Sequence, residues 1–112
     1  MPIVNADYSS LNFDEMAASI GLKPKHMPML IGSFLEESGP ILSNIKVAID
    51  SSNYPDLKMH SHSIKGSAGN LKFTEIYEMA KEMELSAAES NASFDYNAYL
   101  EAISAAVATI PS

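Results

Sequence analysis

An all-α fold, an antiparallel up-and-down four-helix bundle with a short additional N-terminal helix, is predicted by three observations. Apolar residues recur at three- and four-residue intervals through nearly the whole chain, and no segment sustains the alternation of a strand. The periodic stretches are punctuated by residues that start or stop helices: Asn12, Gly21, Pro24, Ser52-Asn53, Pro55, Thr74, Asn91 and Pro111. The connections between them are short, which makes neighbours in sequence antiparallel neighbours in space.

After a polar, irregular start, Asn12 with Glu15 makes a capping box for a short helix ending near Gly21, with Phe13, Met16, Ala17 and Ile20 turned inward. Pro24 opens a longer element reaching about Ser51. Its apolar stripe reads Met27, Leu30, Ile31, Phe34, Leu35, Ile41, Leu42, Ile45 and Ile49. Gly39-Pro40 would normally break a helix, but the stripe keeps its phase from Phe34 to Ile41 and from Leu35 to Leu42. One kinked helix is therefore expected in place of two.

Ser52-Asn53 turns the chain, and Pro55 takes a favoured first-turn position. The third helix carries Leu57, Ser61, Ile64, Ala68 and Leu71 inward. Asn70 and Leu71-Lys72-Phe73 form the next connection, with Thr74 placed to cap the fourth helix. Ile76, Met79, Ala80, Met83 and Ala87 give that helix its buried side. Asn91 to Ser93 turn the chain again, and Tyr96, Tyr99, Leu100, Ile103, Val107 and Ile110 line the last helix up to Pro111.

Composition narrows the function classes. The 112 residues suit one domain over 1–112, with a core from about 10 to 110 that needs no staple. There is no cysteine, which excludes disulfides and thiolate metal sites. A net charge of −7 argues against nucleic acid or an anionic membrane as the main partner. Met1-Pro2-Ile3-Val4 lacks the basic start and apolar run of a signal peptide, and no apolar stretch approaches membrane-spanning length, so a cytoplasmic domain is expected. Glu75, Glu78, Glu82, Glu84 and Glu89 read as a solvated acidic face, against which Lys58 and Lys65 form a local basic exception.

The candidate site is the stretch His62-Ser-Ile-Lys65-Gly66-Ser-Ala-Gly69. At about 100° per residue, Lys65 and Gly66 flank His62 on one helix face and Gly69 lies almost beneath it. His62 itself falls about 140° from Leu57, off the buried stripe. Two glycines inside a helix cost roughly 0.5–1 kcal/mol each relative to alanine, and an open face that a partner can approach would offset that cost. His60 and His62 do not share a face and make a poor metal pair. Lys58 and Met59 stand on the same side as His62 and read as partner contacts, although a solvated lysine and a core methionine are the plainer alternatives. For Gly66 and Gly69 the plainer alternative is close helix packing.

His62-x-x-Lys65-Gly66, continued as Ser67-Ala68-Gly69, resembles the signature of histidine-containing phosphotransfer domains. The surrounding order is similar too: Phe34-Leu35-Glu36-Glu37 and a nearby proline on a long helix, then the histidine helix, then an acidic amphipathic helix. The resemblance covers roughly residues 10 to 110. It implies a four-helix bundle in which His62 accepts a phosphoryl group and exchanges it with aspartates of response-regulator receiver domains in a two-component phosphorelay. One departure is Lys72, where the family commonly has a glycine. The lysine would alter the turn or add charge there, and Asn70 could supply the left-handed turn residue instead.

The chemistry supports that expectation. An exposed imidazole is largely neutral at pH 7 and can attack phosphorus, and a neighbouring ammonium disfavours the imidazolium. Lys65 would then become the counter-ion of the phosphoryl oxygens. This face offers no carboxylate cluster for a metal, so no intrinsic cofactor is expected, and Mg²⁺ would come from the partner receiver. The domain would act as a monomeric relay without independent catalytic activity, with receiver domains or a sensor histidine kinase as partners. The alternatives are the phosphoacceptor domain of a chemotaxis-type histidine kinase and a receiver-binding helical adaptor without phosphate chemistry.

Overall fold

Five α-helices make up the regular structure of the computed structural model, which describes residue 3 and residues 5–111. They are α1 (Phe13–Ser19), α2 (Met27–Asp50), α3 (Tyr54–Asn70), α4 (Thr74–Ala88) and α5 (Tyr96–Ala108). No strand occurs among the described residues. Of Met1-Pro2-Ile3-Val4, where no signal peptide was expected, only Ile3 lies within the described residues and the rest lie outside them.

The bundle closes as an up-and-down ring: α3 packs against α2 and α4, and α5 against α4 and α2. The α3–α4 register runs antiparallel, since His62 meets Glu84 while Gly69 meets Tyr77. Leu57, Ser61, Ile64 and Ala68 of α3 all point into the core, as do Ile76, Met79, Ala80, Met83 and Ala87 of α4. Met16, Met27 and Ile31 are buried as well, so the N-terminal apolar residues serve the core.

Local signals explain the helix starts. Asn12 caps α1 by accepting from the Glu15 N–H, Asn53 caps α3 from the Asp56 N–H, and Asp95 caps α5 from the Ala98 N–H. α2 runs unbroken through Gly39-Pro40. Pro40 lacks an N–H for the Glu36 carbonyl, but both residues lie on the exposed face, where water can take the unpaired oxygen. The element expected from Pro24 begins instead as a 3₁₀ turn, Pro24–His26. The Met27 N–H bonds to the Pro24 carbonyl, and Pro28 has no N–H with which to make the α-helical bond to that same oxygen.

Four helix ends share one closure. After α1, α2, α3 and α4, the residues Gly21, Ser52, Lys72 and Ser90 adopt φ of +74°, +53°, +63° and +52°. In each case the next N–H reaches back five residues, as Phe73 does to the Ala68 carbonyl at 2.9 Å. Asn70 is thus not the left-handed residue of the α3–α4 turn; it ends α3, and Lys72 takes the geometry that a glycine would. The expected Thr74 cap is also corrected. Phe73 occupies the cap position without a side-chain bond, and Thr74 is already the first residue of α4.

Phe73 anchors this end of the bundle. Its ring is buried between Tyr8 and Phe34, with centroids 4.7 and 5.2 Å away. Tyr8 ties the irregular N-terminal segment down: its N–H donates to Thr109 Oγ1 and its hydroxyl donates to Glu75 Oε1, both at 2.8 Å. Tyr54, Phe94, Tyr96 and Tyr99 form a second aromatic cluster at the opposite end.

Candidate functional site

The α3 periodicity that buries Ile64 and Ala68 turns His62 outward, and its side chain is 66% exposed. It stands in an open cleft of about 630 Å³ lined by Pro55, Lys58, Met59, His62, Ser63 and Glu84. Lys58 and Met59, expected as partner contacts, are both exposed along this cleft.

Glu84 of α4 organises the site. Its Oε2 lies 2.7 Å from His62 Nδ1 and its Oε1 lies 2.6 Å from Lys65 Nζ. A carboxylate can only accept, so His62 donates from Nδ1. In the neutral ring that assignment leaves the lone pair on Nε2. Burial works to raise the Glu84 pKa, but hydrogen bonds from Lys65 and His62, with their charges, outweigh it and hold the carboxyl below its ordinary range. The side chains of Lys65 and Glu84 are only 21% and 14% exposed, which limits screening of the pair.

Glu84 was expected on a solvated face and is the main residue that reading the sequence missed. The available signal was its position: Glu84 and His62 stand equally far from Phe73, on opposite sides of the turn. Lys65 is paired with this carboxylate, a contact that its place in the sequence did not disclose.

The two glycines part company. A Cβ on Gly66 would meet nothing within 4 Å, and the residue is exposed beside His62. A Cβ on Gly69 would lie 3.1 Å from Tyr77 Cδ2. Gly69 is half-buried and its bare surface lies against the Tyr77 ring of α4, so close helix packing gives it a role beside the one expected on the open face. Among the described residues, no group of three or more His, Cys, Asp and Glu side chains could hold a metal ion. No helix there is long and apolar enough to cross a membrane.

The family model described as Hpt domain matches residues 29–109, well over half of the chain, and takes in the whole of α3 and α4. The chain belongs to the Hpt domain family. Membership brings histidine phosphotransfer in phosphorelays, with receiver domains and kinases as the interacting classes. No curated protein and no solved structure gives a significant match. Within the Hpt domain, His62 is the exposed histidine of the α3 motif, and Lys65 and Glu84 are the charged groups bound up with it.

Proposed function

We propose that this Hpt domain is a phosphoryl carrier in which His62 accepts a phosphoryl group on Nε2 and exchanges it with the aspartate of a response-regulator receiver domain. The observation that carries this reading is the exposed His62 ring with its proton engaged at Nδ1 by Glu84. A nitrogen lone pair directed at solvent is the nucleophile such a transfer needs.

In the forward step the Nε2 lone pair attacks phosphorus in line with the aspartyl oxygen. The N–P bond forms as the O–P bond breaks, and the bonding pair leaves with the carboxylate. Lys65, one turn along the same face, supplies positive charge to the phosphoryl oxygens. Mg²⁺ held in the receiver's acidic pocket supplies the rest of the charge neutralisation. Exposed Gly66, Lys58 and Met59 receive the partner's loops. The chain works as a cytoplasmic monomer without catalytic power of its own.

The test is incubation with a phosphorylated receiver and Mg²⁺. The chain should acquire an acid-labile, alkali-stable phosphate that a His62→Gln variant does not. Label persisting in that variant overturns the assignment, and receiver binding without label favours the adaptor reading.

A further inference from the structure

Phosphate transfer does not by itself require the bridge between Glu84 and Lys65. A carrier built to store phosphate would keep its lysine open for the phosphoryl oxygens. Here Lys65 Nζ is 2.6 Å from Glu84 Oε1, and the same carboxylate engages His62 Nδ1 at 2.7 Å. Both partners of the bridge are mostly buried, so their charges act on the site with little screening. A dianionic phosphoryl group on Nε2 would arrive one turn from a lysine whose charge is already matched.

We propose that Glu84 is a positioning residue that keeps phosphorylated His62 short-lived and primed to release its phosphoryl group. The proposal rests on the reading of His62 as the phosphoacceptor. Two effects of the one carboxylate act in the same direction. The first concerns the leaving group. When the P–N bond breaks, its electron pair returns to Nε2. A ring that keeps its proton on Nδ1 leaves as neutral imidazole, whereas a ring without that proton must leave as imidazolate, a far poorer leaving group. Glu84 Oε2 accepts the Nδ1–H bond and so favours the protonated, reactive form. The phosphoryl group passes to a receiver carboxylate, or to water with release of inorganic phosphate.

The second effect is competition for Lys65, which cannot give its full charge to the phosphoryl oxygens while Glu84 Oε1 holds it. Lys58 and Lys65 on α3 and Glu84 on α4 are the charged groups gathered around the ring. Removing the carboxylate charge therefore leaves a ring that loses its Nδ1 proton more readily and a lysine committed to the phosphate. Both changes lengthen the life of the phosphorylated form.

The test labels the full chain and its Glu84→Gln and Glu84→Ala variants chemically with phosphoramidate, then follows phosphohistidine decay between about pH 5 and pH 9. Circular dichroism confirms that each variant is folded. Both variants should hold phosphate longer than the wild type near pH 8, by on the order of tenfold. The difference should shrink toward the acid end, where the ring is protonated without help. Equal or shorter lifetimes in the folded variants overturn this inference alone. A lifetime ratio that stays constant with pH overturns the leaving-group effect, because competition for Lys65 alone or a steric role would produce it. Failure of wild-type His62 to carry phosphate at all overturns the proposed function and takes this inference with it.

Discussion

Glu84 of α4 meets Lys65 of α3 at 2.6 Å, so the pair of helices that builds the site is clamped by the site's own charges. The clamp sits one turn from His62 and shares its carboxylate with the imidazole. Structure and chemistry are therefore coupled at a single side chain. A substitution at Glu84 will register in both stability and phosphate lifetime.

The acid response of the fold depends on that pair. Burial pushes the Glu84 carboxyl upward, but Lys65 and His62 pull it below its ordinary value of 4.5. The unfolded chain thus takes up the Glu84 proton at a higher pH than the folded one. The pair's contribution is complete above about 4.5 and is lost as pH falls through the lower folded value. Glu84→Gln should cost about 1 kcal/mol at neutral pH and less at about pH 3. Urea denaturation of both proteins at the two pH values measures it, and an equal deficit at both would show that the charge is not responsible.

Gly66 and Gly69 should answer substitution in opposite ways. Gly66 has open space around its Cα, so Gly66→Ala should stabilise the fold by about 0.5–1 kcal/mol through helix propensity. Gly69 faces Tyr77, and Gly69→Leu should cost about 1–3 kcal/mol by crowding the Tyr77 ring. Chemical denaturation separates the two. A Gly66→Leu variant should remain helical yet lose receiver binding, measured by titration; retained binding would remove Gly66 from the docking face.

The contrast between those glycines marks what the sequence could convey. Periodicity assigns a residue to a face of its own helix, and on that basis the outward turn of His62 and the buried Leu57-Ser61-Ile64-Ala68 stripe were legible. It does not set the register between helices. The pairing of Glu84 with His62 and Lys65, and of Tyr77 with Gly69, depends on the geometry of the turn at Lys72. Tyr8 was hidden for a similar reason: it lies in an irregular segment with no period, and only tertiary contact with Phe73, Glu75 and Thr109 buries it. The Asn12 cap and the continuity of α2 through Pro40, by contrast, are local, and both were legible.

Ser61 offers a stabilising change next to the nucleophile. It is fully buried on the inner stripe of α3, and its hydroxyl meets no hydrogen-bonding partner in the protein. A desolvated hydroxyl without a partner costs about 1–3 kcal/mol, and alanine is the better helix former. Ser61→Ala should therefore raise stability by about 1 kcal/mol while leaving phosphate uptake on His62 unchanged. Thermal melts and the labelling assay check the two halves, and a loss of stability would show that the hydroxyl is hydrogen-bonded after all.

Lys72 is the clearest case of tertiary packing overriding a local preference. A non-glycine residue in the left-handed region costs roughly 1–2 kcal/mol, but the turn that needs it seats Phe73 and Leu71 in the core. Burying an aromatic side chain of that size is worth roughly 1.5–3 kcal/mol, enough to hold the lysine in place. Lys72→Gly should relieve the strain without moving the turn and raise unfolding stability by about 1 kcal/mol. Ser52→Gly and Ser90→Gly, at the equivalent positions after α2 and α4, should give gains of the same sign. Urea midpoints for the three variants measure this. A destabilised Lys72→Gly would mean that the lysine side chain makes a favourable contact larger than its backbone cost.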